Sequence, residues 1–588
     1  MDGRDDEIIA GKAYDAVLMR RLLTYLRPYW RQVLLALVCI AAGSMLQLAQ
    51  PYLMKLAIDR YIADRDLAGL DRIALLFLGI LGGAFAAEFV QAYVLQSTGQ
   101  RIMFDIRAEI YRHLQRLDIA FHDRNPVGRL MTRVTTDVDA LNDLFASGVV
   151  SVFGDVFTLA GIMIVLLTMD WRLALVAFSV LPAIVVVTQW FRRRVRDSYR
   201  EVRGWIARIN AFLQENITGM ATVQLFRRES VNGARFGAIN ACHRDANIQS
   251  IFYYAVFYPA IEIVGAAATA LLIWQGGVWV LGGSLTLGSL VAFIQYSRRF
   301  FRPISDLSEK FNLLQSAMAA SERIFALLDT PVRVAPPAAP RAAAPEGRVA
   351  FDGVSFAYDG ERDVLRDVSF EVQPGQRVGI VGATGAGKST IINLLLRFYD
   401  VRRGRILVDG VDIRDMDLGE LRRRFSLVLQ DVHLFSGTIG GNVRMGDATI
   451  DDARVRRALE AVHADRFVDR LPQGIDTLVA ERGATLSTGQ KQLLSFARAL
   501  AFDPRILVLD EATSSIDTET EVLIRDALRV LMAGRTTIAI AHRLSTIQDM
   551  DRILVLHKGR LREAGSHQEL LAQRGIYYRL YQLQYAGG

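Results

Sequence analysis

The chain has 588 residues, of which 51% are hydrophobic, and a formal net charge of +7 at pH 7. Single domains typically span about 100–200 residues, so several domains are expected. A mean hydropathy of +0.22 argues against a wholly soluble protein, and the presence of only two cysteines excludes a disulfide framework or a cysteine metal cluster. The arginines lie beside long apolar runs, which indicates a lipid bilayer rather than a nucleic acid as the partner of the basic surface.

The first segment, residues 1–32, is predicted to be cytoplasmic or interfacial. Within it, Val17–Trp30 has the pattern of a short amphipathic helix, with leucines on one side and arginines on the other. Its position directly before an apolar run favours a helix that lies on the membrane interface.

Six apolar runs follow, each close to the roughly 20 residues that cross a bilayer. They define a predicted transmembrane domain at residues 33–330. Connections at Met169–Arg172 and Gln275–Gly277 are so short that spans three and four, and spans five and six, are expected to form hairpins. The predicted spans are Val33–Met54, Ile73–Val94, Phe145–Thr168, Leu173–Phe191, Phe252–Trp274 and Val278–Tyr296.

Arginines are concentrated between spans two and three and between spans four and five. The positive-inside rule places both segments in the cytoplasm. Because six is an even number, both termini are then cytoplasmic too, in a multi-pass protein of the cell inner (plasma) membrane. Apolar residues at helical spacing in Ile102–Leu117 predict that the spans continue as cytoplasmic helices. Breaks at Asp123–Gly128 and Asn216–Met220 would form two coupling segments whose tips dock another domain.

A few polar residues lie within the predicted spans. Such groups are costly at membrane depth and usually face a cavity or a partner. They either line a substrate path, where the acidic ones would suit a cationic substrate, or form hydrogen bonds between helices, and both interpretations stay open. The residues are Gln47, Gln50, Glu88, Gln91, Asp155 and Glu262.

A change of composition divides the chain after the last span. Val332–Pro345 is rich in proline and alanine, which predicts a linker at residues 331–346. Residues 347–588 read as a soluble α/β domain. The predicted fold class is a membrane all-α six-helix bundle with long cytoplasmic helical extensions, followed by an α/β P-loop NTPase domain.

The segment Val381–Thr390, VGATGAGKST, lies between an apolar strand pattern and a helical pattern. This is the context of a Walker A phosphate loop, in which glycines expose backbone N–H groups to phosphate oxygens and a lysine reaches the β- and γ-phosphates. A nucleoside triphosphate is therefore the expected ligand. The predicted binding residues are Gly382, Ala383, Thr384, Gly385, Ala386, Gly387, Lys388, Ser389 and Thr390.

A second acidic motif follows in the order that such a site requires. Arg505–Glu511, RILVLDE, is an apolar strand that ends in two acids and resembles a Walker B strand. Asp510 would hold Mg²⁺ through water, and Glu511 would polarise the attacking water. Tyr358, an aromatic residue shortly before the phosphate loop, could stack on the adenine base, although a lone tyrosine also fits a packed core.

Leu486–Gln490, LSTGQ, precedes the Walker B strand. With this segment the chain resembles the ABC transporters over nearly its whole length, specifically an exporter half-transporter with fused membrane and nucleotide-binding domains. In the membrane half, Phe121–Asp139 resembles the first coupling segment of these exporters and Gly283–Tyr296 resembles their sixth span. The resemblance implies an ATP hydrolase coupled to transmembrane transport, with ATP and Mg²⁺ at the site.

The resemblance also implies roles for single residues. The X-loop is matched by Glu481–Gly483 and the D-loop by Ser514–Asp517. The implied catalytic residues are Glu511, His542, Gln430 and Lys388, with Ser389, Gln430 and Asp510 holding the metal. The implied nucleotide contacts beyond the phosphate loop are Tyr358, Ser487, Gly489, Gln490 and Asp517.

In this family, two nucleotide-binding domains pair head-to-tail, and Ser487 and the Gly489 backbone would donate to the γ-phosphate on the partner. Closure and release of that pair would switch the membrane cavity from inward- to outward-facing. The implied function is export of a small amphipathic or hydrophobic molecule: a drug, a lipid or a peptide. The alternative is a regulatory ATP-binding membrane subunit with little coupled transport of its own.

The signature departs from the usual Leu-Ser-Gly-Gly-Gln at its third residue, Thr488. We expect this β-branched residue to restrict the backbone and to weaken the phosphate contact. Together with Glu511 and His542, it resembles the intact-Walker-B subunit of heterodimeric bacterial multidrug exporters. A second half-transporter is therefore the expected partner, with a heterodimer favoured and a homodimer as the alternative.

Overall fold

A computed structural model describes residues 15–145, 149–510, 518–540 and 547–585. The chain divides into two compact units. Unit 1 comprises residues up to Gln115 and Gly128–Thr330, and unit 2 comprises Arg116–Val127 and the residues from Pro331 onwards.

Helices account for the described secondary structure of unit 1. A 3₁₀ turn at Arg27–Tyr29 precedes the second helix, and a π-helical segment, Ala57–Ile62, follows it. The helices are α1 Ala16–Thr24, α2 Trp30–Leu56, α3 Leu67–Arg116, α4 Ile119–Arg124 (which packs with unit 2), α5 Val127–Val134, α6 Thr136–Asp143, α7 Val149–Met169, α8 Trp171–Phe178, α9 Leu181–Thr218, α10 Met220–Leu225, α11 Glu229–Leu281 and α12 Leu287–Leu328.

Within the described residues, five helical segments are long and apolar enough to cross a membrane, at 27–62, 67–116, 152–169, 171–218 and 229–281. They contain predicted spans one, two, four and five, and residues 152–168 of span three. With 50 and 53 residues, α3 and α11 are far longer than a bilayer requires, so they continue beyond the apolar runs as predicted. Helices α9 and α11 pack against each other: within the spans the ring centres of Phe191 and Phe257 lie 3.9 Å apart, and in the extension those of Phe212 and Phe236 lie 6.1 Å apart.

The turn between spans five and six lies elsewhere than predicted. Gln275–Gly277 is inside α11, and the chain turns at residues 282–286, where Thr286 caps α12 by accepting a hydrogen bond from the Ser289 N–H. Gly276 instead serves helix packing, because a Cβ there would lie 2.6 Å from Leu290 Cδ1. The predicted span Val278–Tyr296 was therefore wrong in its bounds, and the sixth helix begins at Leu287.

Both predicted coupling segments are broken helices. In the first, α3 ends at Arg116, and Asp118 starts α4 by accepting from the Phe121 N–H at 3.1 Å. In the second, α9 ends at Thr218 and Gly219 leads into α10. The helical periodicity thus ends where short polar and glycine residues cap the helices.

Three of the polar residues in the predicted spans contact charged residues of α12. Asp155 on α7 forms a salt bridge with Lys310. Arg299 donates to the Gln47 carbonyl at 2.6 Å and to Gln50 Oε1 at 2.7 Å. Asp155 and Gln50 therefore form contacts between helices, whereas Glu88 and Glu262 are exposed on the isolated chain.

Replacing Asp155 with alanine is expected to lower the free energy of unfolding by about 2 kcal/mol, less than the roughly 3–5 kcal/mol for fully buried pairs. The reason is that Lys310, whose side chain is only 18% exposed, would be left without its counter-charge. Thermal unfolding of the detergent-purified protein measures the loss. Glu201→Ala, at an exposed site, is the control, and Asp155→Leu with Lys310→Leu should recover stability. Equal midpoints for Asp155→Ala and Glu201→Ala would contradict a stabilising pair.

The described part of unit 2 contains three sheets. A four-stranded antiparallel sheet has the order β2-β1-β4-β5, a six-stranded sheet has the order β12-β11-β3-β10-β9-β6, and β7 and β8 form a two-stranded sheet. The strands are β1 Val349–Phe356, β2 Leu365–Val372, β3 Arg377–Val381, β4 Arg403–Val408, β5 Val411–Asp412, β6 Phe425–Val428, β7 Gly437–Thr438, β8 Leu478–Val479, β9 Ile506–Asp510, β10 Thr536–Ile540, β11 Arg552–His557 and β12 Arg560–Gly565.

The six-stranded sheet is parallel except for β12 at its edge. Its central strands are buried along almost their whole length, which is typical of parallel sheets covered on both faces. The remaining described helices of this unit are α13 Lys388–Leu395, α14 Leu418–Arg423, α15 Ile439–Arg444, α16 Asp452–Ala461, α17 Asp465–Val468, α18 Thr488–Ala501, α19 Thr518–Met532, α20 His567–Ala572 and α21 Ile576–Tyr585.

Candidate nucleotide-binding site

The predicted phosphate loop connects the buried strand β3 to α13. Gly385 and Gly387 have φ values of +78° and +102°, in the region that favours glycine. Gly387 is also the N-cap of α13, so the loop leads directly into a helix N-terminus. A Cβ on Gly382 would lie 2.3 Å from the Leu556 carbonyl oxygen. The loop therefore has the close backbone approach and the free helix end that an anion site requires.

Lys388 is buried and folds back over this loop. Its Nζ donates to the carbonyl oxygens of Gly382 at 2.8 Å and Ala383 at 3.2 Å. Burial lowers the pKa of Lys388, and the negative charge of Asp510 opposes that shift. A buried cation within a loop of turned glycines fits the phosphates of a nucleotide.

Strand order brings the other predicted residues to the same edge of the sheet. Asp510 is the last residue of β9, and Gln430 lies two residues beyond the end of β6. Only β10 separates β9 from β3, and the strands are parallel, so their carboxyl ends share one edge. Ser389 is exposed in the first turn of α13 at that edge. Its hydroxyl, with the Asp510 carboxylate and the Gln430 amide, offers the oxygen ligands that Mg²⁺ prefers.

Three predicted site residues lie outside the described residues. They are Glu511, Asp517 and His542. Their roles therefore stay predictions.

Tyr358 lies beside the phosphate loop. Its hydroxyl donates to Thr390 Oγ1 at 3.1 Å, and its ring packs edge-to-face against Phe356 and Tyr399, with centroid distances of 4.9 and 5.0 Å. The residue is still 37% exposed. A hydrogen bond thus links Tyr358 to Thr390, at the end of the phosphate-loop segment. The stacking of Tyr358 on adenine stays a prediction.

The structure adds two contacts of the first coupling segment, whose partner residues the sequence did not indicate. Arg124 on α4 donates to the Tyr358 carbonyl oxygen at 2.8 Å, and the Tyr399 hydroxyl donates to the Asp123 carboxylate. Burial and this carboxylate both raise the pKa of Tyr399. No local pattern around Tyr399 signals the contact, because it joins residues 276 positions apart.

Replacing Tyr399 with phenylalanine is expected to loosen α4 while leaving ATP binding intact. A hydrogen bond to a charged group contributes about 1.5–3 kcal/mol, so amide exchange in residues 119–124 should accelerate about tenfold or more. Hydrogen–deuterium exchange of the full-length protein measures this rate. Tyr578→Phe, in α21, is the control. Unchanged exchange in α4 would show that the hydroxyl does not hold this helix.

The predicted signature begins α18. Ser487 is the N-cap: its Oγ accepts from the Gln490 N–H at 3.3 Å, and Gln490 Oε1 accepts from the Ser487 N–H at 3.0 Å. Thr488 is the first residue of the helix and has no positive φ. Any L-residue adopts this conformation, so the expected backbone restriction causes no strain at Thr488, and the weakened phosphate contact stays a prediction. The exposed side chain of Thr488 is the remaining difference from glycine.

Two family models match the chain. Residues 33–304 match the ABC transporter transmembrane region, and residues 365–514 match the ABC transporter model. Together they cover more than half of the sequence. The chain therefore belongs to the ABC transporter family, with its membrane and ATP-binding regions fused in one polypeptide.

Individual relatives are similar over almost the whole chain. The uncharacterized ABC transporter ATP-binding protein YknV of Bacillus subtilis (strain 168) is 40% identical over 584 residues, covering 99% of this chain and 96% of the relative. The ATP-dependent lipid A-core flippase of Syntrophus aciditrophicus (strain SB) is 36% identical, covering 97% and 94%. A solved bacterial Atm1-family ABC exporter with ATP bound has a TM-score of 0.77 and 32% identity, covering 95% and 98%.

These similarities confirm the predicted class and fold: an exporter-type membrane protein whose ABC domain binds ATP and couples its hydrolysis to transport. Exporters of this kind that carry one membrane and one ATP-binding region dimerise.

Proposed function

We propose that this chain exports a small amphipathic or hydrophobic molecule by alternating access driven by ATP. The observation that carries the proposal is the shared sheet edge, where the phosphate loop, Asp510 and Gln430 meet in a chain that also holds apolar spanning helices. The lipid A-core flippase among its relatives acts on an amphipathic lipid, which supports this substrate class. The positive-inside rule supports a location in the inner membrane, with both termini and the ATPase domain in the cytoplasm.

ATP is the substrate of the site. The backbone of residues 382–390 and the Lys388 ammonium bind its phosphates, and Tyr358 stacks on its base. Ser389, Gln430 and Asp510 would hold Mg²⁺, which neutralises charge on the phosphates when bound. Glu511 takes the proton of the attacking water, His542 holds the γ-phosphate and orients that water, and Gln430 would sense the γ-phosphate and the metal.

Ser487 and Thr488 at the start of α18 are exposed, which supports a site that a second chain completes. Ser487, Gly489, Gln490 and Asp517 are proposed to contact the nucleotide held by a second half-transporter, whose own signature completes this site. Closure depends on the γ-phosphate, so binding closes the pair and hydrolysis releases it, as in other nucleotide switches. The coupling segments near Asn125 and Thr218 pass this change to the spans.

The partner is proposed to be a different half-transporter. Thr488 has no backbone cost in α18, so the proposal rests on its exposed side chain, which meets a phosphate directly, and on the resemblance to heterodimeric exporters. A homodimer that tolerates Thr488 is the alternative.

Mg·ATPase activity and oligomeric mass, measured on the same purified sample in nanodiscs, test the proposal. A chain that is folded but inactive alone, and active when co-expressed with a second half-transporter, is the expected result. An active homodimer would contradict the proposed heterodimer but would still agree with ATP-driven export. An assembled complex that binds ATP and shows no hydrolysis stimulated by any amphipathic compound would instead support the regulatory subunit.

A further inference from the structure

A cluster of arginines follows directly on the apolar part of α9. Leu181–Phe191 contains no charged residue, and four of the next five residues are arginines. All four side chains are exposed. At 1.5 Å per residue they extend over about 8 Å of helix, roughly the thickness of the polar headgroup layer on one side of a bilayer. The members of this α9 arginine cluster are Arg192, Arg193, Arg194 and Arg196.

Acidic residues of α9 offset only part of this charge. The first, Asp197, lies 3.9 Å from Arg196, and the two side chains are 68% and 65% exposed, so the pair is weak. Counting Asp197 as a full negative charge leaves the cluster at +3. One turn further on, Arg200 and Arg203 outnumber Glu201, so the next turn is not acidic either.

The neighbouring helix α11 adds no charge at this level. Ser198 Oγ donates to the Ala246 carbonyl oxygen at 3.5 Å, and the ring of Phe191 stacks on that of Phe257. Between these two contacts α11 contains no charged residue. Asp245, which precedes this segment, forms a salt bridge with the arginine before it at 2.8 Å. The positive charge of the cluster is therefore not neutralised by the helix packed beside it.

Aromatic side chains lie on the apolar side of the cluster. Trp190, directly before the cluster apart from Phe191, is 40% exposed, and its ring packs edge-to-face against Tyr253 with a centroid distance of 6.0 Å. Phe252 is also exposed and packs on Tyr253. Exposed tryptophan and tyrosine rings are enriched at the level of lipid headgroups, so the rings and the arginines independently indicate the same depth.

The corresponding part of α3 has a different charge. Residues 95–110, which follow the second predicted span, contain two arginines, one aspartate and one glutamate, and their charges sum to zero. The end of a spanning helix therefore does not by itself produce an excess of positive charge, and the α9 arginine cluster is a feature of its own.

We propose that the α9 arginine cluster binds the headgroups of anionic phospholipids in the cytoplasmic leaflet. Four or more cations directly beyond a spanning helix attract anionic lipids by about 1 kcal/mol each. The contact is made at the surface of the helix pair, between guanidinium groups and headgroup phosphates, and requires no cavity for an acyl chain. The leaflet rests on the orientation given in the proposed function.

Quenching of Trp190 fluorescence tests the proposal on the assembled transporter in phosphatidylcholine vesicles. Phosphatidylglycerol or phosphatidylcholine with brominated acyl chains is added as the quencher, and the signal of Trp190 is the difference from a Trp190→Phe variant. We expect phosphatidylglycerol to quench Trp190 at lower mole fractions. Arg193→Gln with Arg194→Gln should weaken this preference by up to about thirtyfold, the factor that about 1 kcal/mol per cation gives for two cations.

The matched control is Arg456→Gln with Arg457→Gln, which removes the same charge from exposed positions on α16 of the ATP-binding unit. Arg193→Lys with Arg194→Lys should retain the preference for phosphatidylglycerol, because the attraction depends on charge. Equal lipid preference in the two glutamine variants would overturn the proposal, as would equal quenching of the wild type by both lipids.

Two further outcomes are distinguished by the oligomeric mass of each sample. A glutamine variant of the cluster that folds but no longer dimerises would assign these arginines to contact with the partner and would also overturn the proposal. If that variant does not fold, a salt titration of the wild type decides: salt must weaken quenching by phosphatidylglycerol and leave that by phosphatidylcholine unchanged. The readout is lipid binding, so a failure of ATP-driven export would be recognised separately.

Discussion

Replacing Glu511 with glutamine is expected to leave ATP binding intact and to reduce hydrolysis by about a hundredfold or more. Glutamine keeps the size of the side chain but cannot accept the proton of the attacking water, and general-base catalysis contributes about 10²–10⁴ in rate. ATP affinity and steady-state turnover, measured on the assembled transporter, separate the two effects.

Glu460→Gln, at an exposed position on α16, is the control and should turn over like the wild type. A Glu511→Gln variant with wild-type turnover would remove this residue from the role of base. Loss of ATP binding together with turnover would mean that Glu511 contributes to the ground state instead.

Replacing Gly382 with alanine is expected to weaken ATP binding by about 3 kcal/mol, the upper end of the cost of overpacking, or about a hundredfold in Kd. The new Cβ would lie 2.3 Å from the Leu556 carbonyl oxygen. Because that atom belongs to the backbone of β11, the clash is removed only if the phosphate loop moves. The Gly382 carbonyl oxygen, which accepts a hydrogen bond from Lys388 Nζ, would move with it.

Gly385→Ala is the matched variant in the same loop. No atom lies within 4 Å of the position that its new Cβ would take, although φ is +78°, so only the backbone cost of about 1–2 kcal/mol applies. Titration with a fluorescent ATP analogue on the full-length protein measures both. A melting temperature recorded on each sample separates weaker binding from unfolding. Equal affinities for the two variants would show that contact with β11 does not shape the loop.

The positions of the apolar helices in the membrane half were predictable wherever a long apolar run was well separated from the next one. The prediction failed at Gln275–Gly277, because glycine serves two purposes that look identical in a sequence. At Gly276 it allows Leu290 to approach, and at residues 282–283 it allows a turn. Only the position of the neighbouring helix distinguishes these uses.

The nucleotide site was predictable because its motifs carry their own local geometry. Strand β3, the turned glycines and the start of α13 are contiguous, so Lys388 could be placed without knowledge of the fold. Two contacts could not be predicted, because each joins segments that are distant in the sequence. They are the salt bridge between Asp155 and Lys310 and the hydrogen bond between Tyr399 and Asp123. Thr488 is a third case. A threonine in place of the usual glycine is expected to strain the backbone, but Thr488 is the first residue of a helix, where no strain arises.

The length of α11 has a mechanical consequence. Its 53 residues correspond to roughly 80 Å at 1.5 Å per residue; Pro259 removes one backbone hydrogen bond inside this helix, and α9 packs against it. A tilt of about 5° at one end displaces the other end of a helix of this length by roughly 7 Å. A small change in the angle of the helix is thereby converted into a displacement as wide as a small molecule.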